Sequence, residues 1–226
     1  MEYAARQAEI AAPRGFLQRV FGWMFAGLLV TAAAAGAIGS SDSLLTSITE
    51  NPIYLILLFG AQIGLVVWLT AGIQRMSPAM AATLFFVYAA TNGVIFALVF
   101  ELYTAQSIFT TFLITAGMFG AMAAWGAFTD LDLSKLGAVL FMALIGLILA
   151  TVVNLFVAND ALYWVTTYAG VAIFAGLTAY DMQKLKQWAA RDAGDGRMAV
   201  LGALALYLDF INLFLFLLRI FGQARQ

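Results

Sequence analysis

The chain has 226 residues, of which 64% are hydrophobic and 10% are charged, and its net charge is −1. A soluble domain carries about 25% charged residues, so this composition indicates a membrane protein, and the balanced charge gives no indication of nucleic-acid binding. The sequence contains no cysteine and no histidine. Disulfides, thiol nucleophiles, Cys/His metal sites and histidine-based pH sensing are therefore excluded.

Seven apolar runs follow one another along the chain. The first six contain no Asp, Glu, Lys or Arg, and the seventh contains only Asp209. Each run has about 20 residues or more, the length that a helix needs to cross a ~30 Å hydrocarbon core. We therefore predict an all-α fold, with a single seven-helix membrane domain over residues 1–226 and a short N-terminal tail over residues 1–15. The runs are 20–41, 51–74, 76–100, 102–129, 136–159, 161–180 and 198–218.

The basic residues predict the orientation. With seven spans, nine of the eleven Lys and Arg side chains fall on the side of the N-terminus, and only Arg219 and Arg225 fall on the other. Cytoplasmic loops carry such an excess of positive charge, so we predict that the N-terminal tail is cytoplasmic. The nine are Arg6, Arg14, Arg19, Arg75, Lys135, Lys184, Lys186, Arg191 and Arg197.

Asp209 lies inside the seventh run. A carboxylate in the middle of a membrane helix costs roughly 2.5–3.5 kcal/mol on insertion scales, so by default it is a functional candidate. Nothing between the sixth run and Gly194–Asp195–Gly196 breaks a helix. We therefore predict that the sixth helix continues to about Arg191 and that this triplet turns the chain into the seventh.

The turn at Asp195 places two carboxylates at one depth. Asp181 precedes it by fourteen residues and Asp209 follows it by fourteen. At 1.5 Å per residue both lie about 20 Å from the turn, so facing helices would bring them together. Two carboxylates in one low-dielectric site cannot both ionise at low cost, so we predict a shared proton that serves as a pH sensor. Two alternatives stay open: a surface ion pair of Asp181 with Lys184, and a hydrogen-bonded packing role for Asp209.

Two further charged residues are candidates near such a gate. Arg75 follows the second run on the predicted cytoplasmic side, where it could reach the pair and stabilise its ionised form. A role as a positive-inside anchor explains Arg75 equally well. Glu101 follows the third run on the opposite side, where it could attract cations at an entrance. An ordinary position at the membrane boundary also accounts for Glu101.

The C-terminal third of the chain carries a motif that resembles the signature of the Bax inhibitor-1 family. The basic N-terminal tail, the seven runs and a Gln74–Arg75 pair extend this resemblance over the whole chain. The tail ends soon after Arg219, without the lysine-rich end of many eukaryotic members, which favours a bacterial type. The motif consists of Tyr180–Asp181–Met182–Gln183, of Ala205–Leu206–Tyr207–Leu208–Asp209–Phe210–Ile211–Asn212–Leu213–Phe214, and of Leu218–Arg219–Ile220.

The resemblance implies a fold in which helices 1–6 enclose a central seventh helix, and a pH-dependent calcium leak across what would be a bacterial inner membrane. It assigns Asp181 and Asp209 to a pH-sensing latch, with Arg75 matching an arginine thought to interact with it. Calcium is then the permeant ion, bound at most transiently by the two acids, and no cofactor is implied. Some bacterial members also bind a membrane-anchored ATP-dependent protease.

Three functions compete for this sequence. The favoured prediction is a pH-sensitive calcium leak channel gated by the aspartate pair, with calcium ions and the lipid bilayer as partners and no nucleic acid. The alternative is a non-transporting regulator that binds a membrane-anchored ATP-dependent protease or another membrane partner. An intramembrane aspartyl protease is disfavoured, because the Gly-x-Gly-Asp half of its signature is missing before Asp209. We therefore predict that the protein is not an enzyme.

Overall fold

The computed structural model describes the backbone of residues 2–191 and 195–225 and the side chains of residues 15–190 and 195–225. These residues form eight α-helices and a short 3-10 helix, Ile73–Arg75, which confirms the all-α prediction. The α-helices are α1 (Glu2–Gly39), α2 (Asp42–Glu50), α3 (Pro52–Gly72), α4 (Pro78–Leu102), α5 (Ala105–Phe128), α6 (Ser134–Val157), α7 (Asp160–Arg191) and α8 (Gly196–Phe221).

Within the described residues, seven helices are long and apolar enough to cross a membrane, and they coincide with the seven predicted runs. The first span begins at Gly15, and the backbone of the predicted tail continues the same helix α1 from Glu2 onward. Helix α7 extends to Arg191, as predicted. Of the predicted turn, Gly194 lies outside the described residues, Asp195 is not helical and Gly196 begins α8.

Polar caps mark where the membrane helices begin. The side chain of Asn51 accepts a hydrogen bond from Ile53 N at 3.3 Å, and Pro52 follows as the first residue of α3. Ser77 caps α4 in the same way, accepting from Met80 N at 3.2 Å ahead of Pro78. Asn and Ser are favoured caps, and proline is favoured at the first helical position because its missing N–H needs no partner there.

Helix α2 was not predicted, because a search for runs of membrane length passes over a nine-residue segment. None of its residues is buried, and Asp42 places a negative charge in its first turn, where the helix dipole favours it. Pro52 follows directly after Asn51 and starts a new helix. The segment between the first two spans is therefore an exposed short helix and not an irregular loop.

The helices group into two compact units. The first comprises Met1–Tyr103, Trp188–Tyr207 and Arg225–Gln226, and the second comprises Thr104–Gln187 and Leu208–Ala224. Both Asp181 and Asp209 belong to the second unit. The predicted organisation as a single domain over residues 1–226 stays a prediction.

The last span is the most buried of the seven. Within the most apolar 18-residue stretch of each span, 67% of the residues of the last span are buried, whereas the share is between 11% and 39% in the others. A helix at the centre of a bundle has this property, because neighbouring helices and not lipid cover most of its surface. The predicted enclosure of this helix by all six others stays a prediction.

Candidate functional site: an acid pair on α7 and α8

Helix α7 is held against α5 and α6 immediately before Asp181. Ala179 lies so close to Gly126 of α5 that a Cβ at position 126 would overlap the Ala179 backbone. Tyr180 covers Gly137 of α6 in the same way. Small residues allow membrane helices to approach this closely. The position of Asp181 is therefore set by packing against two neighbouring helices.

Just beyond the acid, side chains of α7 bind the last turn of α5 and the connection between α5 and α6. Gln183 Oε1 accepts a hydrogen bond from Leu133 N at 2.9 Å, and Gln183 Nε2 donates to Leu131 O at 2.8 Å. Lys186 Nζ donates to Ala127 O, also at 2.8 Å. These bonds satisfy backbone groups that helix ends leave without partners. They fix the part of α7 on the predicted cytoplasmic side of Asp181.

Helix α8 meets α7 in the register that the count from Asp195 predicts. The rings of Phe174 and Phe216 stack with their centroids 5.9 Å apart. Phe174 precedes Asp181 by seven residues, and Phe216 follows Asp209 by seven. In an antiparallel pair of helices, a contact between these rings places the two acids opposite each other, about two helical turns nearer the Asp195 end.

The Asp209 carboxyl is almost completely enclosed. The residue is 4% exposed, whereas Asp181 is half-buried. Asp209 Oδ2 is buried, and no group among the described residues forms a hydrogen bond with it. Native proteins rarely leave a buried polar atom unpaired, and doing so costs about 1–3 kcal/mol or more when the group is charged. Asp209 therefore needs a partner that the surrounding side chains do not supply.

The electrostatic neighbours of the two acids differ. A negative charge on Asp181 repels one on Asp209, while Lys184, one turn further along α7, attracts the charge on Asp181. The structure thus brings the two acids within range of each other and also retains the Lys184 interaction that an ordinary ion pair would have. A proton shared by the two carboxyls would remove their repulsion and give Asp209 Oδ2 its missing hydrogen bond.

Arg75 is the exposed last residue of the 3-10 helix. Arg197 fastens this turn, because its Nη1 donates to Gln74 O at 3.1 Å while its Nη2 lies 2.9 Å from Asp195 Oδ2. Hydrogen bonds from Arg197 hold the pKa of the Asp195 carboxyl below its usual range. Arg75 belongs to the first compact unit and the acid pair to the second, and the predicted interaction between them stays a prediction.

Glu101 is the next-to-last residue of α4, and half of its side chain is exposed. Its Oε2 lies 3.8 Å from Arg225 Nη1, and Arg225 N donates to Leu102 O at 3.0 Å. The C-terminal segment therefore places a positive charge beside this carboxylate. An exposed pair contributes about 0–1 kcal/mol, but the charge of Arg225 opposes the attraction of a cation. The role of Glu101 at an entrance stays a prediction.

The acid pair has few ligands to offer a metal ion. Two carboxyls supply about four oxygens, whereas Ca²⁺ takes 6–8. In the part of the chain that the structure describes, no group of three or more Asp, Glu, His or Cys side chains could hold a metal. The geometry of Asp181 and Asp209 thus fits brief ligation of a hydrated ion and not a storage site. The transient binding of calcium itself stays a prediction.

A buried contact between two hydroxyl groups, one of them on Tyr207 just before Asp209, was not predicted. Tyr207 is fully buried, and its hydroxyl lies 2.7 Å from Thr31 Oγ1. Thr31 also lies within hydrogen-bond distance of Ala89 O, at 2.9 Å. Thr31 and Tyr207 are 176 residues apart, so only the packing of the helices reveals the contact. The one indication in the sequence is a tyrosine hydroxyl in an apolar run, which needs a partner when it is buried.

Nearly the whole chain matches one known protein family. Residues 13–226 match the family model described as "Inhibitor of apoptosis-promoting Bax1". The chain belongs to the Bax inhibitor-1 family. The match includes α7, α8 and both acids, so the resemblance carried by the C-terminal motif is confirmed and extends to nearly the whole chain.

Several bacterial proteins are similar to this chain over all or nearly all of their length. "Inner membrane protein YbhL" of Escherichia coli (strain K12) is 48% identical over 234 residues, which cover 100% of both chains. An uncharacterised protein of Borreliella burgdorferi is 39% identical, over 100% of this chain and 99% of its own. An uncharacterised protein of Deinococcus radiodurans is 40% identical, over 98% of this chain and 95% of its own. Together with the seven apolar helices, these matches identify an integral membrane protein.

Proposed function

We propose that this Bax inhibitor-1 family protein is a pH-sensitive calcium leak channel of the bacterial inner membrane, with its N-terminus in the cytoplasm. The Asp181–Asp209 pair is its gate. The observation that carries the proposal is the buried Oδ2 of Asp209, which lies beside a second carboxyl and has no hydrogen-bond partner in the described part of the chain. A channel requires neither a catalytic group nor a cofactor, and Ca²⁺ is the permeant ion.

The gate works through one proton. While the two carboxyls share it, the hydrogen bond between them holds α8 against α7. When the proton leaves, two negative charges face each other in a site of low dielectric constant, where their repulsion is much stronger than in water. Because close glycine contacts and Gln183 fasten α7 to its neighbours, the repulsion displaces α8. The leak therefore increases as the pH rises.

Two charged residues assist the gate in this proposal. Arg75, on the cytoplasmic side, stabilises the ionised pair and so favours the open state. Glu101, on the opposite side, attracts cations when Arg225 moves away from it. The 3.8 Å contact between Glu101 and Arg225 is exposed and weak, so thermal motion is enough to break it.

Calcium flux into proteoliposomes tests the gate. We expect the flux of the wild type to rise between about pH 6 and pH 8 as the shared proton is lost. Asp209→Asn and Asp181→Asn should both abolish this rise and leave a low flux, because an amide beside a single carboxyl creates no repulsion. Asp130→Asn, which changes an exposed acid, serves as the matched control. An Asp209→Asn protein with the pH dependence of the wild type would contradict the proposed latch.

A second function is compatible with the surfaces of α3 and α6. Each of these spans is only 11% buried, so its apolar side chains face either lipid or a partner helix. The alternative proposal is a non-transporting regulator that binds a membrane-anchored ATP-dependent protease through such a surface. It is favoured if the wild type shows no calcium flux while copurification with the protease survives both Asp→Asn changes.

A further inference from the structure

Helix α5 carries a row of buried hydroxyl groups that the acid pair does not explain. Ser107 is 6% exposed, and Thr111 and Thr115 are fully buried. These residues are spaced by four, so they follow one face of the helix. Thr104, which caps α5, extends the row to the helix end, because its Oγ1 lies 3.1 Å from Ser107 Oγ. These four residues are called the hydroxyl stripe.

Thr111 differs from other buried threonines of α5 and α7 in its hydrogen bonding. Thr115, Thr167 and Thr178 each donate to the carbonyl four residues earlier, at 2.8 Å, which is a common arrangement for helical threonines. Thr111 Oγ1, by contrast, finds no hydrogen-bond partner among the described residues. An unpaired buried hydroxyl costs about 1–3 kcal/mol. A water molecule or a hydrated ion is the kind of ligand that would satisfy it.

The inner end of the hydroxyl stripe reaches the depth of the acid pair. The ring centroid of Phe210 lies 5.6 Å from that of Phe112 and 5.4 Å from that of Phe119. Phe210 is therefore level with the middle of the stretch of α5 between Phe112 and Phe119, and Thr115 lies in that stretch. Asp209 is one residue away, a rise of about 1.5 Å. Thr111 precedes Thr115 by four residues, so it lies about 6 Å from Thr115 along the helix, toward the Thr104 end.

The direct seam between α7 and α8 is a poor path for a cation beyond the acids. The stacked rings of Phe174 and Phe216 close it. The Arg219 guanidinium lies 4.9 Å from the Phe216 ring centroid and 5.5 Å from that of Tyr163. Apolar constrictions exclude water, and a positive charge repels cations. The face of α5 that bears the hydroxyl stripe offers oxygen atoms along the same stretch of the membrane.

We propose that the hydroxyl stripe lines a water-filled cation route from the Thr104 end of α5 to Asp209. Thr111 Oγ1 and Asp209 Oδ2, the two buried side-chain oxygens that find no partner among the described residues, are successive ligands of the passing ion. Hydroxyl and carboxylate oxygens replace part of the hydration shell of a hard divalent cation, and water completes it. The inference rests on the proposed channel function and adds to it the path on the far side of the gate.

Thiol labelling tests the route without relying on calcium transport. The protein has no native cysteine, so Ser107→Cys, Thr111→Cys and Thr115→Cys each introduce a single thiol. Sealed vesicles are treated at about pH 8 with a cationic, membrane-impermeant methanethiosulfonate, applied to each face in turn. Only the thiolate reacts, and it forms where water reaches the sulfur. Thr167→Cys is the control, because Thr167 is as buried as Thr111 and Thr115 but lies on α7, outside the hydroxyl stripe.

We expect the three stripe thiols to react from the face at which Thr104 lies, in the order Ser107→Cys, Thr111→Cys, Thr115→Cys. Each should react at least about tenfold faster than Thr167→Cys. Labelling of detergent-denatured protein verifies that every thiol is present and reactive. If Thr111→Cys and Thr115→Cys react only after denaturation, the route along α5 is wrong, whatever the calcium flux.

Flux measurements then separate this inference from the channel proposal. Thr111→Val removes the oxygen and preserves the shape of the side chain, so it should lower calcium flux several-fold without shifting its pH dependence. Thr111→Ser keeps the oxygen and should restore the flux. If the stripe thiols react but the wild type carries no calcium, the stripe is a water path and the channel proposal fails. If Thr111→Val carries the flux of the wild type, Thr111 is not a ligand of the ion.

Discussion

Single residues in this protein solve the problem of buried polarity in two ways. Asp209 Oδ2 and Thr111 Oγ1 lie buried without a partner among the described residues. The hydroxyls of Tyr207 and Thr31, in contrast, satisfy each other at 2.7 Å. An oxygen without a protein partner can bind a proton, a water molecule or an ion, whereas the paired hydroxyls hold helices together. This difference separates residues expected to act in function from residues expected to act in stability.

Removing either hydroxyl of the Tyr207–Thr31 pair should lower stability by unequal amounts. Tyr207→Phe deletes a hydrogen bond but leaves Thr31 the carbonyls of Gly27 and Ala89 as acceptors, so we expect a loss of about 0.5–1.5 kcal/mol. Thr31→Val leaves the Tyr207 hydroxyl buried and unpaired, so we expect about 1–3 kcal/mol. Denaturant unfolding in detergent micelles measures both, with Tyr54→Phe, at a half-exposed site, as the control. Equal losses, or a larger loss in Tyr207→Phe, would contradict this account.

The acid pair could be predicted from sequence, but its surroundings could not. Counting from Asp195 works because α7 and α8 are consecutive, antiparallel and regular, so the rise per residue alone sets the depth. The partner of the Tyr207 hydroxyl, and the lack of one for Thr111 among the described residues, depend on helices that are distant in sequence. No local pattern encodes such contacts, and they become visible only when the packing is known.

At the scale of whole elements, the seven spans follow from the absence of charge, because an apolar run of sufficient length is a strong constraint in a membrane. Element ends are less constrained, as the extension of α1 back to Glu2 and the separate helix α2 illustrate. Caps such as Thr104, which accepts a hydrogen bond from Ser107 N at 3.3 Å, determine where a helix begins. Several residue types could have served there.

The end of α6 contains a strained residue. Ala158 caps this helix in the left-handed conformation, with φ of 50°, and its N donates to Asn154 O at 2.9 Å. An L-residue with a Cβ pays roughly 1–2 kcal/mol in this conformation, whereas glycine adopts it freely. Ala158→Gly should therefore raise the unfolding free energy by about 0.5–1 kcal/mol, after the greater entropy of the unfolded glycine is subtracted.

Thermal unfolding in detergent checks this prediction for Ala158→Gly. Ala161→Gly, three residues later but inside the first turn of α7, is the matched control. It should lower stability, because glycine costs about 1 kcal/mol relative to alanine within a helix. A lower melting temperature for Ala158→Gly would show that the left-handed conformation is not strained in the protein.

At the scale of the whole molecule, charge and burial are distributed unevenly. Nine of the eleven basic residues fall on the predicted cytoplasmic side, which is a property of the sequence alone. The 67% burial of the last span is a property of the packing. The sequence indicated that this helix is special only through Asp209 and the family motif, because its apolar residues are no different in kind from those of the other spans.

In the proposed mechanism, the loss of a shared proton separates α8 from α7 and so opens the leak. Calcium flux through a protein in which these helices are joined tests it most directly. In a Phe174→Cys/Phe216→Cys double variant, a short bifunctional thiol reagent bridges the positions whose rings stack at 5.9 Å, and the unlinked variant is the control. We expect the linked protein to show, at about pH 8, the low flux that the unlinked variant shows at about pH 6. A linked protein whose flux still rises with pH, as in the unlinked control, would contradict the account.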